Sequence, residues 1–159
     1  MEEIIRDIES KTHLLEEYRH KDLFIPIIDV SLEDSKRKTL LHFTPLVSNE
    51  IYKRKTEWVY LIIMNNRIVK IGGTCNGVKE IHLMNKKGSA IHTALIFYIN
   101  CGCKVKFYGY ELPIKKIEIE ICGETHEIIP KTYHALTSLF MEDYKKQFLQ
   151  TPFFTPLNI

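Results

Sequence analysis

The chain has 159 residues, 45% of them hydrophobic and 26% charged, with a formal net charge of +2. That length and mixture fit one globular domain with a real core and argue against a disordered or fibrous chain. No stretch approaches the roughly 20 apolar residues that cross a bilayer, so no membrane partner is expected. Met1-Glu2-Glu3 lacks the basic-then-apolar opening of a signal peptide, so a cytoplasmic protein is expected. The charge total does not announce a nucleic-acid binder. Its distribution does say something: Lys36-Arg37-Lys38, Lys53-Arg54-Lys55, Lys86-Lys87, Lys115-Lys116 and Lys145-Lys146 would attract a phosphate backbone if gathered on one face. Cys75, Cys101, Cys103 and Cys122 form no C-x-x-C pair, and C-x-C at 101–103 is too tight for a zinc knuckle. They read as free thiols.

In chain order, Ile4, Ile5, Ile8, Leu14, Leu15 and Tyr18 recur at helical spacing over residues 2–19. Residues 24–30 contain Pro26 and read as a connector or short edge strand. Ser31-Leu32-Glu33-Asp34 has the capping-box pattern that starts a short helix. Residues 39–47 are apolar but interrupted by Pro45. This first third, residues 1–57, reads as a helical embellishment on a core that runs over residues 58–149.

Two apolar runs, 58–64 and 67–71, flank Asn65-Asn66 and predict a β-hairpin, with Gly72-Gly73 ending the second strand. A short helix is expected over 76–85, and a second from the cap Ser89 to Ile99, closed by Gly102. A strand follows over 105–110. Lys116-Ile117-Glu118-Ile119-Glu120-Ile121 alternates strictly and predicts one face buried and one wet, in a hairpin of 115–121 against 125–129. Pro130 favours a final helix over 131–149. Residues 150–159, with Pro152 and Pro156, read as an extended tail. The expected fold class is α+β, a single domain with a small, mostly antiparallel sheet flanked by helices.

A tyrosine early in one strand of the first hairpin and a lysine leaving the other would face one cleft. Hydrolysis of a phosphodiester needs a way to take a proton from water and charge stabilisation at the phosphate. Tyr60 is the candidate hydroxyl and Lys70 the candidate cation. Trp58-Val59-Tyr60, a short hairpin, and Lys70-Ile71-Gly72 resemble the two halves of the GIY-YIG nuclease motif. The likeness is greatest to the small restriction endonucleases of that superfamily, in which lysine replaces the second motif's tyrosine. It runs over roughly residues 58–144, including Gly88-Ser89 and Tyr108-Gly109-Tyr110.

The resemblance implies a three-stranded sheet, one magnesium (or manganese) ion per active site, and cleavage of double-stranded DNA. Tyr60 would act as general base or position the water. Lys70 would donate to the scissile phosphate or stabilise charge on the tyrosine oxygen. Gly72, Gly73, Thr74 and Ser89 would lie against the nucleic acid. The family's arginine on the next helix, and a histidine one turn on, are matched only by Lys79 and His82; lysine lacks the bidentate fork. The family's metal-binding glutamate falls on His134, with Glu142 and Glu127 as substitutes; magnesium prefers carboxylate oxygen, and Glu142 is taken as the candidate ligand. His92 and the free amides after Ser89 form a further possible phosphate contact at a helix N-terminus, where the dipole favours a neutral imidazole.

The function expected is therefore a metal-dependent, type II restriction-like DNA endonuclease acting as a homodimer, since a twofold axis matches two strands. The alternatives are a nucleic-acid-binding module that kept the fold and lost the cut, or an unrelated α+β interaction protein. Walker, dinucleotide, zinc-quartet and nucleophile-elbow patterns are missing from the sequence.

Overall fold

Seven consecutive buried residues set the architecture. In a computed structural model describing residues 2–32, 40–84 and 89–154, β4 (Trp58–Met64) has every side chain buried. Successive side chains of a strand point to opposite faces, so a continuous apolar run requires cover on both. Trp58, Tyr60, Ile62 and Met64 enter one core cluster, and Val59, Leu61 and Ile63 enter another. β4 pairs with β5 (Arg67–Thr74) through a two-residue turn in which Asn65 and Asn66 have φ of 50° and 64°. Asparagine tolerates this left-handed region better than most residues, which makes the tight hairpin possible. β5 continues through Gly72 and Gly73 to Thr74 and does not stop at the glycines.

β6 (Val105–Glu111) lies on the other side of β4, giving the antiparallel trio β5-β4-β6. The sheet is wider than the three strands the resemblance implied. β2 (Ile25–Leu32) adds to β6, β3 (Leu41–Pro45) adds to β2, and β1 (His13–Leu14) adds to the far end of β5, for an order β1-β5-β4-β6-β2-β3. The first third is thus no helical embellishment: it supplies three of six strands, and Ile27, Ile28 and Val30 to the core. Pro26 misled because proline cannot donate to a ladder; the chain tolerates it where the β2–β6 register shifts, between Pro26 and Ile28. Ser31 and Leu32 belong to β2, not to a helix start, and the rest of that capping pattern lies outside the described residues, as do Lys36-Arg37-Lys38 and Lys86-Lys87.

The described residues form five α-helices: α1 (Glu2–Lys11), α2 (Asn49–Lys53), α3 (Gly77–Met84), α4 (Ala90–Asn100) and α5 (Tyr133–Phe148). Ile8 of α1, Val78 and Ile81 of α3 and Leu95 of α4 cover the Tyr60 face. Phe140 and Tyr144 of α5, with Tyr18 and Phe24, cover the opposite face. The chain is an α+β protein with a mostly antiparallel sheet flanked by helices. No helix among the described residues is long and apolar enough to cross a membrane, and all four cysteines are free.

The second hairpin departs from its expected packing. β7 (Ile117–Ile121) and β8 (Glu124–Ile128) pair only with each other, and every residue of both strands is exposed. The strict alternation predicts one buried face, but among the described residues neither face is buried.

Tyr18 and Tyr144 set a pH limit. Their rings pack 6.1 Å apart, and neither buried hydroxyl has a hydrogen-bond partner among the described residues. Burial pushes the Tyr144 phenol up to about 12 and raises Tyr18 too, where the nearby Asp143 adds to the effect. The unfolded chain ionises these groups near 10, so the stability held by the neutral phenols is complete below that pH and is lost as pH rises toward about 12. Alkaline unfolding followed by circular dichroism should steepen in that window. Tyr144→Phe should move the transition upward and cost little at neutral pH, because it removes an unpartnered buried hydroxyl. An unmoved alkaline midpoint in that variant would refute the assignment.

Candidate active site

Register places the candidate residues. Tyr60 pairs with Gly72 and Ile62 with Lys70, so Tyr60, Lys70 and Gly72 share one face of the sheet. The Tyr60 ring stacks on Phe107 of β6, 5.9 Å away and 6° from parallel, and its tip extends over Gly72. Lys70 Nζ stands 5.8 Å from the centre of that ring, within reach of a cation–π contact. β1 pairs with β5 only at Ile68 and Arg67. The Phe154 amide donates to the Val69 carbonyl at 2.8 Å on that outer edge, and among the described residues no strand pairs with it at 70–74. Tyr60 itself is 1% exposed, and Lys70 is half-buried above it.

The glycine pair is squeezed from both faces. A Cβ on Gly72 would sit 2.5 Å from the Tyr60 hydroxyl oxygen, and one on Gly73 would collide with Thr137 and Tyr133 of α5. Their smallness makes room for protein atoms, a tyrosine above and a helix below. Thr74 is buried opposite Trp58 and accepts from the Asn76 amide at 3.2 Å, turning the chain into α3. Lys79 is exposed on α3; the side chain of His82 lies outside the described residues. Ser89 is occupied as a cap, its Oγ accepting from the His92 amide at 3.1 Å, and His92 is buried.

The candidate metal ligands are not beside this pair. On α5, Phe140 and Tyr144 face the sheet, so Glu142, two residues from each, points outward and is exposed. It also sits on the side of the sheet away from Tyr60. Glu127 projects on the second hairpin, paired with Lys116 at 3.3 Å, and His134 is exposed and stacked on Tyr133 at 4.4 Å. No group of three or more His, Cys, Asp or Glu side chains converges among the described residues. The residues named as ligands therefore do not fit a metal ion at Tyr60 and Lys70.

Sequence reading missed two carboxylates that organise the neighbourhood. Glu57 Oε1 accepts from the Thr132 and Tyr133 amides at 2.8 and 3.1 Å, capping α5 across more than seventy residues. That bond seats Tyr133 against Gly73. Partial burial and then the neighbouring Cys75 raise the Tyr133 phenol above its ordinary value. Glu111, paired with Trp58 on the Tyr60 face, accepts from Thr56 at 2.7 Å and Arg54 at 3.3 Å, and Thr56 in turn accepts from the Trp58 indole at 3.0 Å. No spacing rule could have found either carboxylate, because each acts across distant segments.

No family model matches the sequence, and neither does any curated protein. Solved structures share the fold. Restriction endonuclease HPY188I, in complex with product DNA, is 13% identical with a TM-score of 0.57, over 97% of this chain and 91% of that one. A mutant of bacteriophage T4 EndoII is 23% identical with a TM-score of 0.56, over 92% of this chain and 100% of that one. The likeness runs through nearly the whole chain, including the N-terminal strands that lie outside the hairpin motif.

Proposed function

We propose that this protein is an endonuclease that hydrolyses phosphodiester bonds of double-stranded DNA, of the GIY-YIG type and restriction-like in its action. The observation that carries this reading is the placement of Lys70 Nζ 5.8 Å from the Tyr60 ring centre on the face of the β4–β5 hairpin that also holds Gly72. Its support is a fold shared with two endonucleases, one of them bound to product DNA. In this reading the Tyr60 hydroxyl takes the proton of the attacking water or orients it, and Lys70 holds a non-bridging phosphate oxygen. Tyr60 is 1% exposed, so substrate reaches the phenol only after side chains packed over it move. Lys79, on the helix covering this face, adds charge toward the same backbone.

Magnesium or manganese, one ion per site, would supply further charge neutralisation; Glu142, exposed on α5, does not face the Tyr60–Lys70 pair. The outward turn of Glu142 also favours a second reading, a DNA-binding module without turnover. Incubation of the protein with plasmid DNA, with magnesium and with EDTA, separates the two. Discrete magnesium-dependent products are expected, and retardation of uncut DNA in both conditions would establish the binding module. Glu142→Gln should cut within about twofold of the parent, since exposed substitutions away from a site change little. A hundredfold loss in that variant would return Glu142 to the active site.

A further inference from the structure

Of the basic clusters among the described residues, one lands on the face of the sheet that carries Tyr60. Ile51 and Tyr52 of α2 pack against the core cluster that holds Tyr60, and Val78 and Ile81 of α3 belong to it. The two helices meet end to start. Gly77, at φ 84°, opens α3 so close to the end of α2 that a Cβ there would sit 1.9 Å from the Arg54 carbonyl oxygen and 3.7 Å from the Lys55 Cα. No side chain fits that approach, and the positive φ suits glycine. Lys53, Arg54 and Lys55 are thereby held beside the start of α3, where Lys79 follows two residues after Gly77; all four basic residues are exposed. They stand past Thr74, at the far end of the strand that carries Lys70 and Gly72.

We infer that Lys53 and Lys55 extend the charge of Lys79 into a track for the DNA phosphate backbone beside the Tyr60–Lys70 pair. Arg54 is matched by Glu111 at 3.3 Å and fixes the segment. Lys53, Lys55 and Lys79 pair with no carboxylate among the described residues. The acids of these segments are Glu50 on α2, Glu80 next to Lys79, and Glu57, which is turned to the α5 amides. With Lys70, four lysines stand against Glu50 and Glu80, an excess of two positive charges on one stretch of surface, equal to that of the whole chain. The other described clusters lie elsewhere. Lys145 and Lys146 sit on α5, which covers the opposite face, and Lys116 pairs with Glu127 on the second hairpin at 3.3 Å. A polyanion that places one phosphate at Lys70 therefore meets its next cations at 53, 55 and 79. Lysine is a point charge on a flexible stem, so such a track supplies affinity and register and reads no base.

The partner's identity rests on the endonuclease reading, but the test measures binding and not cleavage. A labelled DNA duplex, titrated in EDTA at a series of salt concentrations and followed by fluorescence anisotropy, gives the slope of log K against log salt. Each lysine that neutralises a phosphate contributes roughly one to that slope, so the double substitution Lys53→Gln and Lys55→Gln should flatten it by about two and weaken two unrelated duplexes alike. Lys145→Gln with Lys146→Gln should keep the parental slope. Both variants should melt as the parent does, since all four positions lie outside the core clusters. A parental slope in the 53/55 variant would overturn the track even if the parent cuts DNA, and so would an equal flattening in the 145/146 variant. A parent that binds no duplex at any salt would overturn the track together with the endonuclease reading. A flattened slope in a protein that never cuts would leave the track standing while the endonuclease reading fell.

Discussion

Tyr60→Phe should bind DNA as the parent does and cleave it about 10²–10⁴-fold more slowly, the range that a general acid–base group contributes. The substitution removes one oxygen and nothing else. The ring keeps its stack on Phe107 and its place over Gly72, so the melting temperature should stay close to the parent's. Loss of a group that acts only in the transition state lowers kcat and kcat/KM together and leaves binding alone. Tyr144→Phe makes the same chemical change in the other core cluster and should leave cleavage intact. A Tyr60→Phe protein that cuts at the parental rate would remove the phenol from the mechanism, and matched losses in both variants would point to damage to the fold.

Gly72→Ala should abolish most cleavage and also destabilise the chain. The added methyl would sit 2.5 Å from the Tyr60 hydroxyl oxygen, where non-bonded carbon contacts prefer roughly 3.5–4 Å. The ring cannot yield freely, since Phe107 is stacked on it. Overpacking of this kind costs about 1–3 kcal/mol, which for a chain of this size lowers the melting temperature by roughly 2–12 °C at 2–4 °C per kcal/mol. Gly73→Ala is the informative control. Its methyl meets Thr137 and Tyr133 on the opposite face, so it should be destabilised to a similar degree yet keep its Tyr60 geometry and most of its activity. Equal activity losses in the two variants would show that the glycines serve stability alone.

Both expectations depend on a neighbourhood that was only half legible in the amino-acid order. The β4–β5 hairpin could be read because each cue is local: an unbroken apolar run, two asparagines that accept positive φ, and glycines two positions after Lys70. The caps and helices after it were legible for the same reason, Ser89 above all. The direction of Glu142 was not, because alignment along a helix gives a position and not a direction. Glu142 lies two residues from both Phe140 and Tyr144, and once those two face the sheet the glutamate must face away. Glu57 escaped notice for the opposite reason, since its partners lie in a segment more than seventy residues distant.

Sequence alone determined that this chain forms an α+β domain, that its centre is an apolar hairpin, and that Tyr60 and Lys70 project from adjacent strands of it. Those properties follow from periodicity and turn chemistry, which act between near neighbours. Only the tertiary structure decided that the phenol lies over Gly72 beneath Lys70, that β2 enters the sheet despite Pro26, and that the isoleucine row of β7 stays uncovered. An alternating pattern says that a face is apolar; what covers it is settled by long-range packing, and here no described residue buries it.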